Sequence, residues 1–279
     1  MRRRALLSTV GMAALAGCST GDGERTATST STPTTTPTDS GKAEFAFRGV
    51  EAPDTVALNT PTRFTVGVEN VGAGRGTFTS VLETRLGDGE WTEGGTVEMS
   101  LAAGETGRWR SPEIVPRYLT TYGFRLVAFD ETWSIGTEPE RLGFGEDYAT
   151  PTGLLIAVTG GSFESAYTGW DDGTATPDPV TPTDGDQWLV LEVNVRNRLQ
   201  EPRPVPPASA FTVEVGGERR PQHQEISTRP YEDGELDGRA GRIGELIYSV
   251  PSGTEVGDLT VSLATSFPGG DGKAIWRQG

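Results

Sequence analysis

Regular alternation of apolar and polar residues is the feature that most limits what this chain can fold into. In residues 63–70, Phe64, Val66 and Val68 occupy every second position, with mostly polar residues between them. A period of two places neighbouring side chains on opposite faces of a strand, so one face is buried and the other is solvated. The same alternation returns in residues 122–128. We find no convincing helical stripe longer than two turns after the first residues, so the sequence predicts an all-β protein.

The alternation resumes in the second half of the chain. The apolar members of "DQWLVLEVNVRN" and "GDLTVSLA" are Leu189, Leu191, Val193, Val195, Leu259, Val261 and Leu263. Turn-forming clusters such as "GDGEWTEGG" and "LAAGETG" separate the short strands, and this arrangement is typical of antiparallel sandwiches. We therefore predict two tandem immunoglobulin-like antiparallel β-sandwiches, over residues 43–138 and 144–279.

The two halves also repeat a local pattern. Both "FTVGVENVG" and "VLEVNVRNR" run an apolar strand into an asparagine. Asparagine tolerates left-handed turn conformations and bonds to nearby backbone, so it suits the end of a strand. The repetition indicates two related modules.

The first residues have the pattern of an export signal. Three arginines precede an apolar stretch of about a dozen residues, the length of a secretory core segment and shorter than the roughly 20 that span a bilayer. A twin-arginine pattern, which is a receptor-read address, is formed by Arg3, Arg4, Leu6 and Leu7. We predict a signal peptide over residues 1–17, with the general secretory route as the alternative.

The only cysteine of the chain follows this stretch directly. The segment made of Leu15, Ala16, Gly17 and Cys18 resembles the lipobox of prokaryotic lipoproteins. We predict that Cys18 carries a diacylglycerol-type lipid and becomes the mature amino terminus, because two acyl chains anchor a protein stably. This places the exported protein on the outer face of the cytoplasmic membrane. Residues 18–41 are rich in Thr, Ser and Pro and lack large aliphatic residues, which predicts a disordered stalk.

The composition is strongly acidic. There are 39 acidic and 24 basic side chains, a formal net charge of −15, and the only lysines are Lys42 and Lys273. Such a composition is typical of extreme halophiles, where the Debye length falls to roughly 3 Å at about 1 M salt and self-repulsion is screened; an ordinary acidic protein is the alternative. No basic face for phosphates is evident, so we expect no nucleic-acid partner.

Few residues have the pattern of a catalytic site. The only histidine, His223, excludes a zinc motif that needs two histidines, and no nucleophile elbow accompanies it; we interpret it as a solvated side chain. The Gly-rich segment from Val71 to Phe78 resembles a phosphate-binding loop, but no helix is predicted after it. We interpret that segment as a hairpin turn.

Acidic and aromatic residues supply the remaining candidates. Calcium needs six to eight oxygen ligands, and one long loop is flanked by Asp171, Asp172, Asp184 and Asp186. A second acidic loop contains Glu232, Asp233, Glu235 and Asp237. We favour solvation over metal binding for both loops. Trp91 and Trp170 lie in turn-like contexts and are candidates for exposed aromatic residues that bind a glycan or a protein, with core or edge packing as the alternative.

Both halves resemble known extracellular modules, and the whole resembles an archaeal-type secreted lipoprotein. Residues 43–138 resemble CARDB-like immunoglobulin-like modules in "PTRFTVGVENVGAGRGTFTSVLETRLGDG", "LAAGETG" and "YGFRLVAFD". Residues 144–279 resemble the DUF4352 telokin-like fold in "GDQWLVLEVNVRNRLQEP", "AFTVEVGGERRPQ" and "GRIGELIYSVPSG". These resemblances imply binding, adhesion or accessory roles at the cell surface, and neither supplies a catalytic motif.

The sequence as a whole predicts a non-enzymatic, membrane-anchored extracellular protein. We expect no catalytic residue and no cofactor other than the lipid on Cys18. We expect the partners to be the membrane and an unidentified surface protein or glycan. An extracellular hydrolase and a purely structural envelope component remain as alternatives.

Overall fold

The computed structural model describes residues 41–169 and 178–279. Several predicted features lie outside these residues: the signal peptide and the stalk up to residue 40, Arg3, Arg4, Leu6, Leu7, Leu15, Ala16, Gly17, Cys18, Trp170, Asp171 and Asp172. Within the described ranges, no helix is both long enough and apolar enough to span a bilayer.

The first half of the described chain forms two sheets. Its strands are β1 (Phe45–Glu51), β2 (Thr55–Ala57), β3 (Thr65–Asn70), β4 (Gly76–Leu86), β5 (Thr92–Leu101), β6 (Thr106–Arg110), β7 (Tyr122–Leu126) and β8 (Glu131–Glu138). One sheet has the order β1-β3-β6 and the other has the order β2-β8-β7-β4-β5. The predicted alternation is confirmed, since Phe64, Val66 and Val68 are all buried. The Phe64 ring lies 4.8 Å from that of Phe124 and 5.1 Å from that of Trp133 in the core between the sheets.

The second half forms two larger sheets and one small one. Its strands are β9 (Glu140–Gly143), β10 (Asp147–Ala149), β11 (Leu154–Glu164), β12 (Asp186–Asn197), β13 (Arg203–Val205), β14 (Phe211–Val215), β15 (Glu218–Arg219), β16 (Gly234–Leu236), β17 (Gly241–Pro251), β18 (Leu259–Phe267) and β19 (Gly270–Arg277). The sheet orders are β10-β11-β12-β17, β15-β14-β18-β19-β9 and β13-β16.

A second hydrophobic core lies within this half. It contains all the residues predicted from alternation, namely Leu189, Leu191, Val193, Val195, Leu259, Val261 and Leu263. Trp188, on the opposite face of β12, is also buried, because it packs with Tyr167 and Ile247 in a separate small cluster. The alternation in the sequence does not predict that this opposite face of β12 is also partly buried. The only helical elements among the described residues are 3₁₀ turns at Val127–Phe129, Ala208–Ala210, Gln224–Ile226 and Val256–Asp258.

The predicted all-β sandwich class is confirmed, and two pairs of the strands given above depart from antiparallel pairing. Strand β2 pairs in parallel with β8, and β9 pairs in parallel with β19. In both cases a short early strand joins the last strand of its half. Parallel neighbours need a long connection between them, and here the intervening strands provide it. Strand β9 begins at Glu140, ahead of the predicted boundary at residue 144.

The Gly-rich segment 71–78 does not form the predicted hairpin. It connects β3 to β4, and these strands belong to different sheets, so the loop crosses the edge of the sandwich. An ideal Cβ on Gly74 would lie 1.8 Å from the carbonyl oxygen of Gly41. The glycines of this segment therefore allow two stretches of backbone to approach each other closely at this crossing.

A buried asparagine organises that crossing. Asn70 is fully buried, and its Nδ2 donates to the carbonyl oxygens of Gly74 at 2.8 Å and Leu101 at 3.1 Å. Its Oδ1 accepts from the backbone N–H groups of Glu44 at 3.2 Å and Gly72 at 3.1 Å. One side chain thus bonds to four backbone groups at this irregular crossing, where buried backbone groups need partners.

Asn197 has the same role at the end of β12. Its Nδ2 lies 2.9 Å from the carbonyl oxygen of Glu201 and 3.0 Å from that of Leu236, and its Oδ1 accepts from the N–H of Leu199. The repeated asparagine in the sequence therefore corresponds to a repeated structural device. Neither asparagine has a positive φ, so the amide hydrogen bonds account for the residue and left-handed backbone does not.

Candidate functional site

A polar cavity of about 700 Å³ opens on the outer face of the sheet β2-β8-β7-β4-β5. We call it the Trp91 cup, and we define it by its lining residues Arg85, Gly87, Asp88, Trp91, Leu119, Thr120, Thr121, Gly123, Thr132, Trp133, Ser134, Gly136 and Thr137. Its volume lies within the range of about 300–1,000 Å³ that is usual for small-molecule sites.

Strand register positions the floor of the cup. Arg85 of β4 lies opposite Gly123 of β7, and Gly123 lies opposite Ser134 of β8. The adjacent row consists of Glu83, Arg125 and Thr132. Because alternate residues of a strand face opposite sides, these positions share the outer face, while Phe124 and Leu126 point into the core.

Gly123 makes room for the aromatic residue of the cup. Trp91 lies in the connection between β4 and β5, and an ideal Cβ on Gly123 would lie 3.4 Å from its Cη2 atom and 2.9 Å from the Cγ of Arg85. A larger residue at this position would displace both side chains. The missing side chain of Gly123 thus allows the indole and the Arg85 stem to lie close to the sheet.

Two guanidinium groups contact the indole of Trp91. The Cζ of Arg85 lies 4.5 Å from the ring centroid and that of Arg125 lies 5.1 Å away. Both distances are within cation–π range, where such contacts contribute about 0.5–1 kcal/mol at exposed sites. Arg125 is also ion-paired with Glu83, with 2.7 Å between its Nε and the Oε2. The indole and the two arginines therefore hold one another in place.

Hydroxyl groups complete the lining. Thr137 is occupied, because its Oγ1 accepts from the backbone N–H of Thr120 and lies 2.8 Å from that residue's carbonyl oxygen. Thr132 and Ser134 are exposed on β8. A hydroxyl both donates and accepts, so this part of the cup is suited to a ligand with many polar groups.

The structure places Trp91 in the cup, partly exposed. The register that joins it to Arg85, Gly123 and Ser134 is not visible in the sequence around any one of them. The sequence signal that could have found the site is the pair of arginines on outward-facing positions of "SVLETRL" and "YGFRL".

Of the four aspartates considered as calcium candidates, the structure describes Asp184 and Asp186. Asp184 is exposed. The Oδ2 of Asp186 accepts from the Ser249 hydroxyl and lies 3.8 Å from Arg220. Among the residues that the structure describes, no group of three or more His, Cys, Asp or Glu side chains is placed to hold a metal. Because Asp171 and Asp172 lie outside those residues, the choice of solvation over calcium binding for this loop stays a prediction.

The second acidic loop surrounds an arginine. The Arg242 guanidinium donates to the backbone carbonyl oxygens of Glu232 at 3.0 Å and Glu235 at 2.8 Å. The loop is therefore held by its backbone, and its acidic side chains are available for solvation.

His223 lies against an aromatic ring and is less exposed than the sequence predicts. Its ring centroid is 5.1 Å from that of Trp188, and its Nδ1 lies 3.1 Å from the Oε1 of Glu225. The pKa of Glu225 is lowered, mainly by a hydrogen bond from its own backbone and further by His223. These contacts place His223 in a small surface cluster with Trp188 and Glu225.

Two carboxylates face each other across β12 and β17. Glu192 is the cross-strand neighbour of Glu245, and Arg229 bridges them, with its Nη2 at 2.9 Å from Glu192 and 3.6 Å from Glu245. Glu245 is buried, and its Oε2 accepts from the hydroxyls of Tyr167 at 2.8 Å and Ser227 at 2.9 Å. The hydrogen-bonding capacity of this carboxylate is largely used within the protein.

By fold, the chain is a β-sandwich protein. No protein-family model and no curated protein matches the sequence. Solved structures similar to it include an uncharacterized β-sandwich protein from Clostridium difficile, with 12% identity and a TM-score of 0.36 over 51% of this chain and 95% of that one. A candidate lipoprotein of Bacillus subtilis, ycdA, has 14% identity and a TM-score of 0.34 over 50% of this chain and 39% of that one. A secreted protein from Mycobacterium tuberculosis has 16% identity and a TM-score of 0.33 over 50% of this chain and 98% of that one.

Proposed function

We propose that the protein is exported, is anchored to the membrane by a lipid on Cys18, and binds a glycan at the cell surface through the Trp91 cup without catalysing a reaction. The observation that carries the binding role is the combination of an indole held by two guanidinium groups with exposed hydroxyls in one cavity.

This combination matches the chemistry of a sugar. A pyranose presents an apolar face of C–H groups that packs on an aromatic ring, and its hydroxyls form hydrogen bonds with Ser, Thr and Arg side chains. The cup rests on three neighbouring strands, β4, β7 and β8, and sites built on strands hold their geometry better than sites on loops. The rigid floor therefore favours recognition of a defined ligand.

The chemistry of the other polar clusters supports a non-catalytic role. Glu245 is hydrogen-bonded to Tyr167 and Ser227, and His223 is engaged with Glu225. A general acid or base must reach the substrate proton directly or through one water, and these groups are already occupied by neighbours. The net charge of −15 disfavours nucleic acid as the partner.

The lipid anchor is tested by replacing its attachment site. Cells that express the native chain or Cys18→Ser are fractionated, and the membrane pellet is washed with salt and then with detergent. The native chain should require detergent for release, whereas Cys18→Ser should appear in the soluble exported fraction. Equal retention of both proteins in washed membranes would refute the anchor.

The binding role is tested by co-sedimentation of the full chain with insoluble polysaccharide from the envelope of the source cells. We compare the native chain with Trp91→Ala and with Ile243→Ala, which truncates an apolar side chain that is 46% exposed on β17. Trp91→Ala should lose at least about tenfold in affinity, since stacking and hydrogen-bond geometry are both lost, and Ile243→Ala should bind normally. Binding that is unaffected by Trp91→Ala would contradict the assignment.

A further inference from the structure

We propose that the Trp91 cup selects sugars that carry a carboxylate and that Arg85 binds this carboxylate. The inference rests on the proposed glycan-binding function and names the class of sugar. The two arginines that contact the Trp91 indole differ in one respect. Arg125 is ion-paired with Glu83, whereas no carboxylate of the described residues lies within ion-pair distance of the Arg85 guanidinium.

The position of Arg85 is fixed although its charge is unmatched. Its cross-strand neighbour is Gly123, so its aliphatic stem lies across a position with no side chain. Its guanidinium is 4.5 Å from the Trp91 centroid. A cation that is already ordered loses less conformational entropy when it binds a ligand. The Arg85 guanidinium is thus held beside the cavity with its capacity to bind an anion available.

The setting of this cation is unusual for a protein with 39 acidic and 24 basic side chains. The molecule as a whole repels anions, so an anionic ligand needs a local cation at short range. Salt screens the long-range repulsion, whereas a guanidinium that forms two parallel hydrogen bonds with a carboxylate gains both energy and geometric specificity. Arg85 therefore provides the contact by which the cup can distinguish a carboxylate from a neutral group.

The indole and two of the hydroxyls of the cup correspond to the rest of a hexuronate, and the carboxylate of Asp88 also lines the cup but is solvent-exposed. The indole offers a surface for the apolar face of the sugar ring, and Thr132 and Ser134 of β8 offer hydroxyls for its ring hydroxyls. The carboxylate at C5 of the sugar projects from the same ring and can meet the Arg85 guanidinium. A neutral hexose would fill the same space but would leave this cation without an anion.

The test is calorimetric titration of the full chain with hexagalacturonate and with its fully methyl-esterified form, at one fixed salt concentration. The two hexamers share ring geometry and hydroxyls, and they differ in charge. The native chain should bind the acid at least about tenfold more tightly than the ester, because charge-assisted hydrogen bonds are stronger than neutral ones. In Arg85→Gln this preference should fall to within about twofold.

Arg108→Gln serves as the matched control, because it removes one arginine from β6, where Arg108 pairs with Glu51. It should keep the full preference for the acid. Equal binding of acid and ester by the native chain would overturn the inference and leave the glycan role standing. Failure of both hexamers, with retained sedimentation on envelope polysaccharide, would also overturn it. Failure of both hexamers and of the envelope polysaccharide would overturn the proposed function as well.

Discussion

Asn70 and Asn197 are single residues that hold together the loops at the ends of two strands. Each amide is bonded to backbone groups of at least two separate segments. Leaving a buried donor or acceptor unsatisfied costs about 1–3 kcal/mol. The sequence repetition predicts the importance of these positions, and only the structure gives the reason.

Replacing either asparagine by alanine should therefore lower the free energy of unfolding by about 2–3 kcal/mol. Asn194→Ala is the matched control, because Asn194 lies on the other face of the same strand as Asn197, and a change there should stay within about 0.5 kcal/mol. Urea unfolding at fixed salt measures all three variants. Equal effects at Asn194 and Asn197 would contradict the structural role of the buried amide.

Glu140 provides a pH-dependent test at the residue scale. Burial raises the pKa of Glu140, and the hydrogen bond from Asn59 opposes this shift. A raised carboxyl pKa means that the folded state binds the proton more tightly than the unfolded state does. The folded state therefore loses stability as the pH rises through the folded-state pKa.

Glu140→Gln imitates the protonated side chain and can still accept from Asn59. Relative to the native chain, this variant should gain stability as the pH is raised from 4 to 7. Thermal unfolding of both proteins, followed by circular dichroism in the same salt, gives the difference in melting temperature between them at each pH. A difference that stays constant across this range would show that Glu140 is not the titrating group.

At the scale of strands and sheets, periodicity in the sequence predicts the elements but not their partners. Alternation identifies the buried faces of β3, β12 and β18, because burial on one face is a local property of a strand. The pairs β2–β8 and β9–β19 join segments that are far apart in the chain. No local sequence pattern predicts which strands pair in this way. The same limit explains why Trp91 is a candidate from sequence whereas Arg85 and Gly123 are not.

Close backbone packing against β17 offers a test at this scale. An ideal Cβ on Gly244 would lie 2.5 Å from the Cα of Tyr231 and 2.8 Å from the carbonyl oxygen of Pro230, both backbone atoms. Gly244→Ala should therefore force the chain apart and cost about 1–3 kcal/mol of stability. On the same strand, a Cβ at Gly241 meets no atom closer than 3.7 Å, so Gly241→Ala should be nearly neutral. Chemical unfolding compares the two, and equal destabilisation would contradict the packing.

At the scale of the whole molecule, the charge predicts a response to salt. With a formal net charge of −15, self-repulsion weakens the folded state until counter-ions screen it. The melting temperature should rise by about 5–10 °C between 0.1 M and 2 M KCl, which corresponds to a few kcal/mol. Sucrose is the control, because it favours burial without screening charge and should give a smaller rise. A flat response to KCl would refute the halophilic interpretation.

The central claim is that a glycan binds at the Trp91 cup. The tryptophan side chains of the protein are natural spectroscopic probes for this binding. It has six tryptophans. The indole N–H of Trp188 donates to the carbonyl oxygen of Val180 and that of Trp276 to the carbonyl oxygen of Glu146, both in the second half of the chain. Each tryptophan gives one side-chain N–H signal in a ¹⁵N-correlated NMR spectrum of the full chain, and single Trp→Phe variants assign the signals.

Soluble oligosaccharides from an acid hydrolysate of the source cell envelope are then added in steps. If a glycan binds at the Trp91 cup, the Trp91 signal should show a saturable shift while the Trp188 and Trp276 signals stay in place. Shifts confined to Trp188 or Trp276, or no shift of any indole signal at saturating oligosaccharide, would contradict it.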